Sequence, residues 1–327
     1  MLEQEKWHQV ILANAADLSE LAESIILEDS LDEIAYRASF RMVVTPDVYK
    51  LKIAPGQSIA ISAPLPDQPK KATLFSGGVW DITSEDRGVK HLMITVYERT
   101  IQIAKSEDEY LFPAGQTAAA RLKKYAADWG IPVGKFEDTG IPLAKALYRP
   151  QTIWSMIQSD LKETAKKGGA MFRPRMTPSG LVLYKIGSNR FVWVLELMEE
   201  IVQRRTLEGA VTQVKVLGKQ EENKRTPVLA VVKGETSKYG TLQKVLQDDK
   251  LKNAAQAKTA GQKLLTGIQE TITVSGPDIN EIRAGDRVIL NNMGLIVTSV
   301  RHTLGTPGKM TLELANENYV RRRYFLD

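Results

Sequence analysis

Few side chains in this sequence combine the types and spacing that chemistry needs. The histidines are His8, His91 and His302, and none has the His-x-x-x-His or Glu-x-x-His spacing that seats a metal on one helix face. Each is expected to be a packed or hydrogen-bonded structural residue. Asp81, Glu85 and Asp86 form an acidic cluster of the kind from which glycosidases draw an acid and a nucleophile. Glu85-Asp86-Arg87-Gly88, however, has the composition of an exposed turn. Ser159-Asp160-Leu161-Lys162 matches the Ser-x-x-Lys pattern of serine acyl-enzymes, but no Ser-Asp-Asn or Lys-Thr-Gly partner occurs and the four residues fall in an amphipathic helical stretch. The run Gly305 to Met310, GTPGKM, ends in Gly-Lys without the glycine spacing or the Ser/Thr of a phosphate-cradling loop, and reads as a turn between strands. Arg321, Arg322 and Arg323 lie between two tyrosines. Such a run can contact phosphate, but it reads as a solvated tail or as a partner for a neighbouring subunit's carboxylates. No catalytic, cofactor-binding or metal-binding residue is assigned, and the chain is not expected to be an enzyme.

Composition narrows the classes further. The 327 residues predict two or three domains with enough apolar content for real cores. Basic residues exceed acidic ones by 44 to 39, a net charge of +5 spread along the chain, whereas a dedicated nucleic-acid protein concentrates its charge. The absence of cysteine excludes disulfides, thiolate nucleophiles and Cys-based metal sites. No apolar run approaches the ~20 residues that cross a bilayer, and MLEQEKWHQVILANAADLSE lacks a signal-peptide core. A soluble chain with no membrane anchor, synthesised in the cytoplasm, is expected.

The elements that would position any site fall into three regions. Residues 1–115 are strand-rich: WHQVILA, RMVVT, SIAIS, ATLFSGGVWDIT and HLMITVYERTIQIA, with turn residues between them. Leu18 to Val44 fits both a helical face and strands, and periodicity alone does not separate the two. Residues 116–200 form an α/β insertion module. It has helices over QTAAARLKKYAADWG and Thr152 to Lys167, a hairpin turning at Thr177-Pro178-Ser179-Gly180, and a strand at FVWVLEL. Residues 201–327 return to strands in RRTLEGAVTQVKVLG, VLAVV and TITVSG, with a loop tip at GKQEENKR and a helical insertion near 235–267.

The two strand-rich regions echo each other. Pro55-Gly56 introduces SIAIS as Ala284-Gly285 introduces DRVIL; Gly78 opens VWDIT as Gly294 opens LIVTSV; MITVYERT then answers MTLELANEN. The first copy is longer by PLPDQPKK. This order suggests duplication of one small antiparallel barrel or sandwich.

Three stretches resemble the baseplate hub proteins of contractile phage tails and tail-like defective prophage particles, a group related to phage late control protein D and to the N-terminal part of type VI secretion spike proteins. They are DLSELAESIILEDSLDEIAYRASFRMVV, RPQTIWSMIQSDLKETAKKGG and the segment from Gln256 to Ala315. In the last, Gly285, Asp286, Val288, Val297, Val300, His302, Met310 and Leu312 match a barrel-ending pattern of that family. The resemblance favours strands for Leu18 to Val44. It implies a mainly β fold of two tail-tube-like antiparallel β-barrels plus the α/β module. It also implies a structural role in the virion or tail-like particle: a homotrimer whose six barrels match a hexameric tail tube above to a trimeric spike below. Expected partners are the tail tube protein, the spike or needle protein and other baseplate proteins. Small-molecule substrates, cofactors and specific nucleic-acid ligands are not expected. The alternatives are a tail-associated cell-wall-degrading enzyme and a nucleic-acid-binding β-barrel protein.

Overall fold

A computed structural model describes residues 8–65, 68–86, 88–220, 225–249, 251 and 253–326. The first stretch runs β1 (Gln9–Leu12), β2 (Ala16–Asp17), β3 (Ala22–Ser30), β4 (Arg37–Val43), α1 (Pro46–Lys50), β5 (Ser58–Leu65), β6 (Gln68–Asp86), β7 (Lys90–Tyr97) and α2 (Ile101–Lys105). Next come β8 (Glu107–Phe112), α3 (Ala118–Asp128), β9 (Val133–Phe136), β10 (Ala146–Thr152), α4 (Ile153–Lys166), β11 (Phe172–Thr177), β12 (Gly180–Lys185) and β13 (Trp193–Val194). The remainder is β14 (Glu200–Thr206), β15 (Gln213–Leu217), β16 (Val228–Lys233), α5 (Thr236–Tyr239), β17 (Gln243–Gln247), α6 (Ala254–Leu264), β18 (Gln269–Pro277), β19 (Arg287–Leu290), β20 (Met293–Thr303), β21 (Lys309–Ala315) and α7 (Glu317–Val320). A π-helical turn, Arg321–Leu326, follows. At 46% strand and 19% helix the protein is mainly β, as expected.

The ambiguous Leu18 to Val44 is strand: β3 and β4 alternate buried and partly exposed residues, and Ile25, Leu27, Ala38, Phe40 and Met42 face one core. Both module helices form where their caps stand. Thr117 and Thr152 accept hydrogen bonds from Ala120 N and Ser155 N, and Gly130 and Gly168 take positive φ beyond the C-termini. Ile153, Met156, Ile157 and Leu161 are buried on one stripe of α4. The β11·β12 hairpin turns at the expected residues, with Thr177 opposite Gly180.

Other expectations change. FVWVLEL yields only the two-residue β13, which pairs in parallel with β19 through Trp193 and Val194, while Phe191, Val192 and Leu197 lie outside that ladder and are exposed. RRTLEGAVTQVKVLG breaks at Gly209, which has positive φ, into β14 and β15. On either side of residues 66 and 67, which lie outside the described residues, PLPDQPKK extends the β5·β6 ladder, with Ala63 opposite Ala72 and Pro64 opposite Lys71. The tip GKQEENKR lies partly outside the described residues, at 221–224.

The expected pair of closed barrels also needs correction. One 13-stranded sheet runs in the open order β14-β18-β21-β20-β3-β4-β7-β6-β5-β1-β2, with β19 and β13 branching from β20. The cause is β20. Its first half pairs with β19 and its second half, on the same edge, with β3, so the sheet continues into the N-terminal strands instead of closing on itself.

The chain divides into two compact units, residues 1–202 with 273–325 and residues 203–272. In the first unit, one core gathers Val10, Leu27, Phe40, Ile59, Phe75 and Ile94, and another gathers the module around Tyr125, Met156 and Leu183. In the second, the sheet β16-β15-β17 packs Val214 and Val216 against Ala257 of α6. Gly261 stands where a Cβ would lie 2.8 Å from Val232, so the helix approaches that sheet closely.

Candidate functional site

The two echoing segments have the same backbone construction. Gly56 N donates to Val79 O at 2.8 Å and Val79 N to Gln57 O at 2.8 Å; Gly285 N donates to Val297 O at 2.8 Å and Val297 N to Asp286 O at 2.9 Å. Both glycines are left-handed, with φ of 90° and 91°. Gly78 faces Ser58 on one side and Tyr97 on the other, as Ile296 faces Arg287 and Ala315. The next strand pairs also match: each ladder bulges at one residue, Trp80 in β6 and Thr298 in β20. Thus Gly56 is equivalent to Gly285, as the sequence suggests. Gly78, however, is equivalent to Ile296 rather than Gly294, because the shared glycines sit two positions apart relative to the bulge. Leu92, not Met93, occupies the place of Met310.

The order β4-β7-β6-β5 is repeated as β18-β21-β20-β19. Upstream, β3 lies beside β4 as β14 lies beside β18. Both flanking strands end alike: Asp32 N donates to Ser30 Oγ at 3.1 Å and Glu208 N to Thr206 Oγ1 at 3.0 Å. Ser30-Leu31-Asp32 therefore corresponds to Thr206-Leu207-Glu208, and Glu28 and Asp29 correspond to Arg204 and Arg205.

The two repeats meet where β3 lies antiparallel to β20, with Ser30 opposite Ser299, Glu28 opposite Arg301 and Ile26 opposite Thr303. Leu31 N adds a bond to Thr298 O at the bulge, 2.8 Å. Glu28 receives Arg37 from β4 and Arg301 from β20, tying three strands on the open face. A groove of about 410 Å³ runs here, lined by Glu28, Asp29, Glu33, Arg37, Arg301 and Glu313.

Beneath the joint, Asp29 is 3% exposed. Its carboxylate takes Arg173 Nη2 at 2.6 Å and Arg283 Nε at 2.6 Å. Burial pushes this carboxyl up, but the guanidiniums of Arg173 and Arg283 outweigh burial and hold it well below the usual carboxylate range. Arg173 comes from the module hairpin and also donates to Ser30 O and Ala284 O. Arg175, two residues on, reaches Asp286 Oδ1 at 2.7 Å, and Tyr184 Oη donates to Ala284 O at 2.8 Å. The Arg283 guanidinium lies 3.5 Å from the Tyr36 ring centre. The module is thus clamped to the joint by buried charge. Sequence reasoning did not find this cluster. Its one signal is the alternation Arg173-Pro174-Arg175, which puts two arginines on one face of a hairpin.

The residues first considered for chemistry do not converge. His302 is fully buried, its ring nitrogens 2.6 Å from Asp278 Oδ1 and 2.8 Å from Ile282 O; His91 Nδ1 lies 3.0 Å from its neighbour Val89 O. Ser159 Oγ donates to Ser155 O inside α4, and the neighbouring Asp160 is a buried partner of Arg121 at 2.6 Å. GTPGKM covers the β20–β21 turn and the first two residues of β21. Asp81, Glu85 and Asp86 lie in the second half of strand β6, not in a turn. The basic run does not form a solvated tail: Arg321 donates to Ala165 O and Gly169 O, Phe325 is buried, and Arg323 lies 3.7 Å from Asp32. Among the described residues no group of three or more His, Asp or Glu is placed to hold a metal ion, and no helix is long and apolar enough to cross a membrane.

The family described as YQBQ-like matches residues 26–315. The chain belongs to the YQBQ-like family. The matched span includes the joint, the module and nearly all of the second repeat. The fold is shared with solved tail proteins at low sequence identity. The 43 kDa tail protein of prophage MuSo2 from Shewanella oneidensis superposes with a TM-score of 0.71 at 12% identity, over 96% of this chain and 99% of that one. A tail protein from Neisseria meningitidis MC58 gives 0.67 at 16% identity, over 95% and 97%. The Escherichia coli c3393 protein, a component of the type VI secretion system, gives 0.53 at 10% identity, over 97% and 77%. No curated protein sequence matches the chain. The resemblance to tail hub proteins seen in the sequence thus holds at the level of the fold.

Proposed function

We propose that this YQBQ-like protein is a structural hub of a contractile phage tail or tail-like particle, acting as a homotrimer in its baseplate. The observation that carries this reading is the repeated sheet order with its matched left-handed glycines and bulges, one repeat in each strand-rich region. Three such chains hold six quasi-equivalent repeats while keeping threefold symmetry, which suits a sixfold tube on one side and a trimeric spike on the other. Residues 1–115 and 201–327 supply the tube-like halves, and residues 116–200 buttress the joint through Arg173 and Arg175. The tail proteins that share the fold support the same role.

Native mass spectrometry with negative-stain imaging of the purified protein tests this reading. A trimer appearing as a ring with pseudo-sixfold features is the expected result. A monomer that persists at high concentration would overturn it.

A further inference from the structure

The internal repeat leaves one joint made and its counterpart open. Within the chain, β3 of the first repeat covers the outer edge of β20 in the second, at residues 299–303. The equivalent edge of the first repeat is β6 from Asp81 to Glu85. There β6 pairs with β7 on one side, and its ladder with β5 ends at Gly78. Among the described residues no strand lies on its other side. The strand equivalent to β3 is β14, which stands at the end of the sheet with β18 as its one neighbour among the described residues. Among the described residues, two matching half-joints therefore remain unfilled.

The geometry points to a second copy of this chain as the occupant: β14 of one copy adds antiparallel to the β6 edge of the next. The joint deepens the trimeric hub reading and rests on it. Its register follows from the joint already present. Ser299 opposite Ser30 becomes Asp81 opposite Thr206; Arg301 opposite Glu28 becomes Thr83 opposite Arg204; Thr303 opposite Ile26 becomes Glu85 opposite Val202. Leu207 N then reaches the Trp80 carbonyl, as Leu31 N reaches Thr298 O.

Three observations besides the repeat favour this occupant. The charges are complementary: Arg204 would sit between Asp81 and Glu85, its diagonal neighbours on the same face. This reverses the polarity of the internal Arg301–Glu28 pair. The exposed apolar residues fall where the joint would cover them. Trp80 is 48% exposed while its equivalent Thr298 is 2% exposed, and Ile201, Val202 and Leu207 are 47%, 49% and 39% exposed. Finally, β14 has no proline that would bar a further ladder and no buried residue, so its edge is available for pairing. Such a contact joins different surfaces head to tail. It closes into a ring only if the rotation per copy is right, and three copies would alternate internal and intermolecular joints.

The chain has no cysteine, so paired cysteines report the contact cleanly. The test introduces Thr83→Cys with Arg204→Cys, treats the purified protein with a short bis-maleimide and reads a denaturing gel beside native mass spectra. A second pair, Glu85→Cys with Val202→Cys, repeats the test at the neighbouring position should the first fail to fold. Glu28→Cys with Arg301→Cys calibrates the reagent on the internal joint and should link within one chain. Covalent dimers and trimers, with none from either single variant, are expected. A trimer in the native spectrum whose pairs stay unlinked would overturn the joint and leave the hub reading standing. Linked dimers without trimers would keep the joint and overturn the hub stoichiometry. Monomer alone, unlinked, would overturn both.

Discussion

Asp29 is the residue on which the joint turns. Its buried carboxylate compensates the buried guanidinium of Arg173 and the partly buried one of Arg283, and removing one member of such a group leaves uncompensated charge inside the protein, a loss of about 3–5 kcal/mol. Asp29→Asn should therefore lower the denaturant midpoint strongly at neutral pH. The pH dependence has a definite sign. A carboxyl held low in the folded state contributes stability above its unfolded pKa, near ~3.9, and loses that contribution as pH falls toward its folded value. The gap in unfolding free energy between wild type and Asp29→Asn should be widest at neutral pH and narrow steadily below about pH 4. A gap that stays constant down to acid would show that the two arginines do not depress Asp29. Glu98 has the opposite sign, since burial raises its carboxyl despite Arg283 nearby. Its contribution is complete at low pH and declines as pH rises. Beyond the Arg173-Pro174-Arg175 alternation, this ionic cluster was not legible in the sequence, because Asp29, Arg173 and Arg283 are far apart in the chain and look like any surface charges until the fold removes water from them.

At the scale of elements, legibility followed periodicity and local caps. Helix α4 could be placed from Thr152, its apolar stripe and Gly168, since all three signals are local. Thr152→Ala removes the bond from Ser155 N and should cost roughly 1 kcal/mol in urea unfolding, while Thr152→Ser should keep most of it. An equal loss in both variants would mean that the threonine methyl, not the cap, matters. Strands β3 and β4 were ambiguous because a short apolar run fits either period, and their ladders with β20 and β7 decide the matter. The repeat itself was readable through Gly56 and Gly285, where a left-handed backbone restricts the residue type. It was misread by two residues at Gly78 and Gly294, where glycine has no such requirement. Gly77 is the more constrained neighbour, since a Cβ there would lie 2.3 Å from the Tyr97 carbonyl oxygen.

For the whole molecule, closure into separate barrels was the expectation that failed, because nothing local records which edge of a strand is taken by a distant one. The same fact makes assembly testable by charge. If β14 docks on β6, Arg204 meets Asp81 and Glu85 across three equivalent joints of a trimer, each diagonal pair contributing about 0.2–1 kcal/mol. Arg204→Glu places like charges there and should weaken the trimer by at least ~10-fold in dissociation constant, most clearly at low salt where screening is least. Combining it with Asp81→Lys and Glu85→Lys restores opposite signs and should recover association. The monomer's thermal stability should barely move, since the ion pair of Arg204 with Glu208 in its own chain is exposed on both sides. Sedimentation equilibrium at two salt concentrations separates the cases. A triple variant that associates no better than Arg204→Glu alone would mean that the two charged edges never meet.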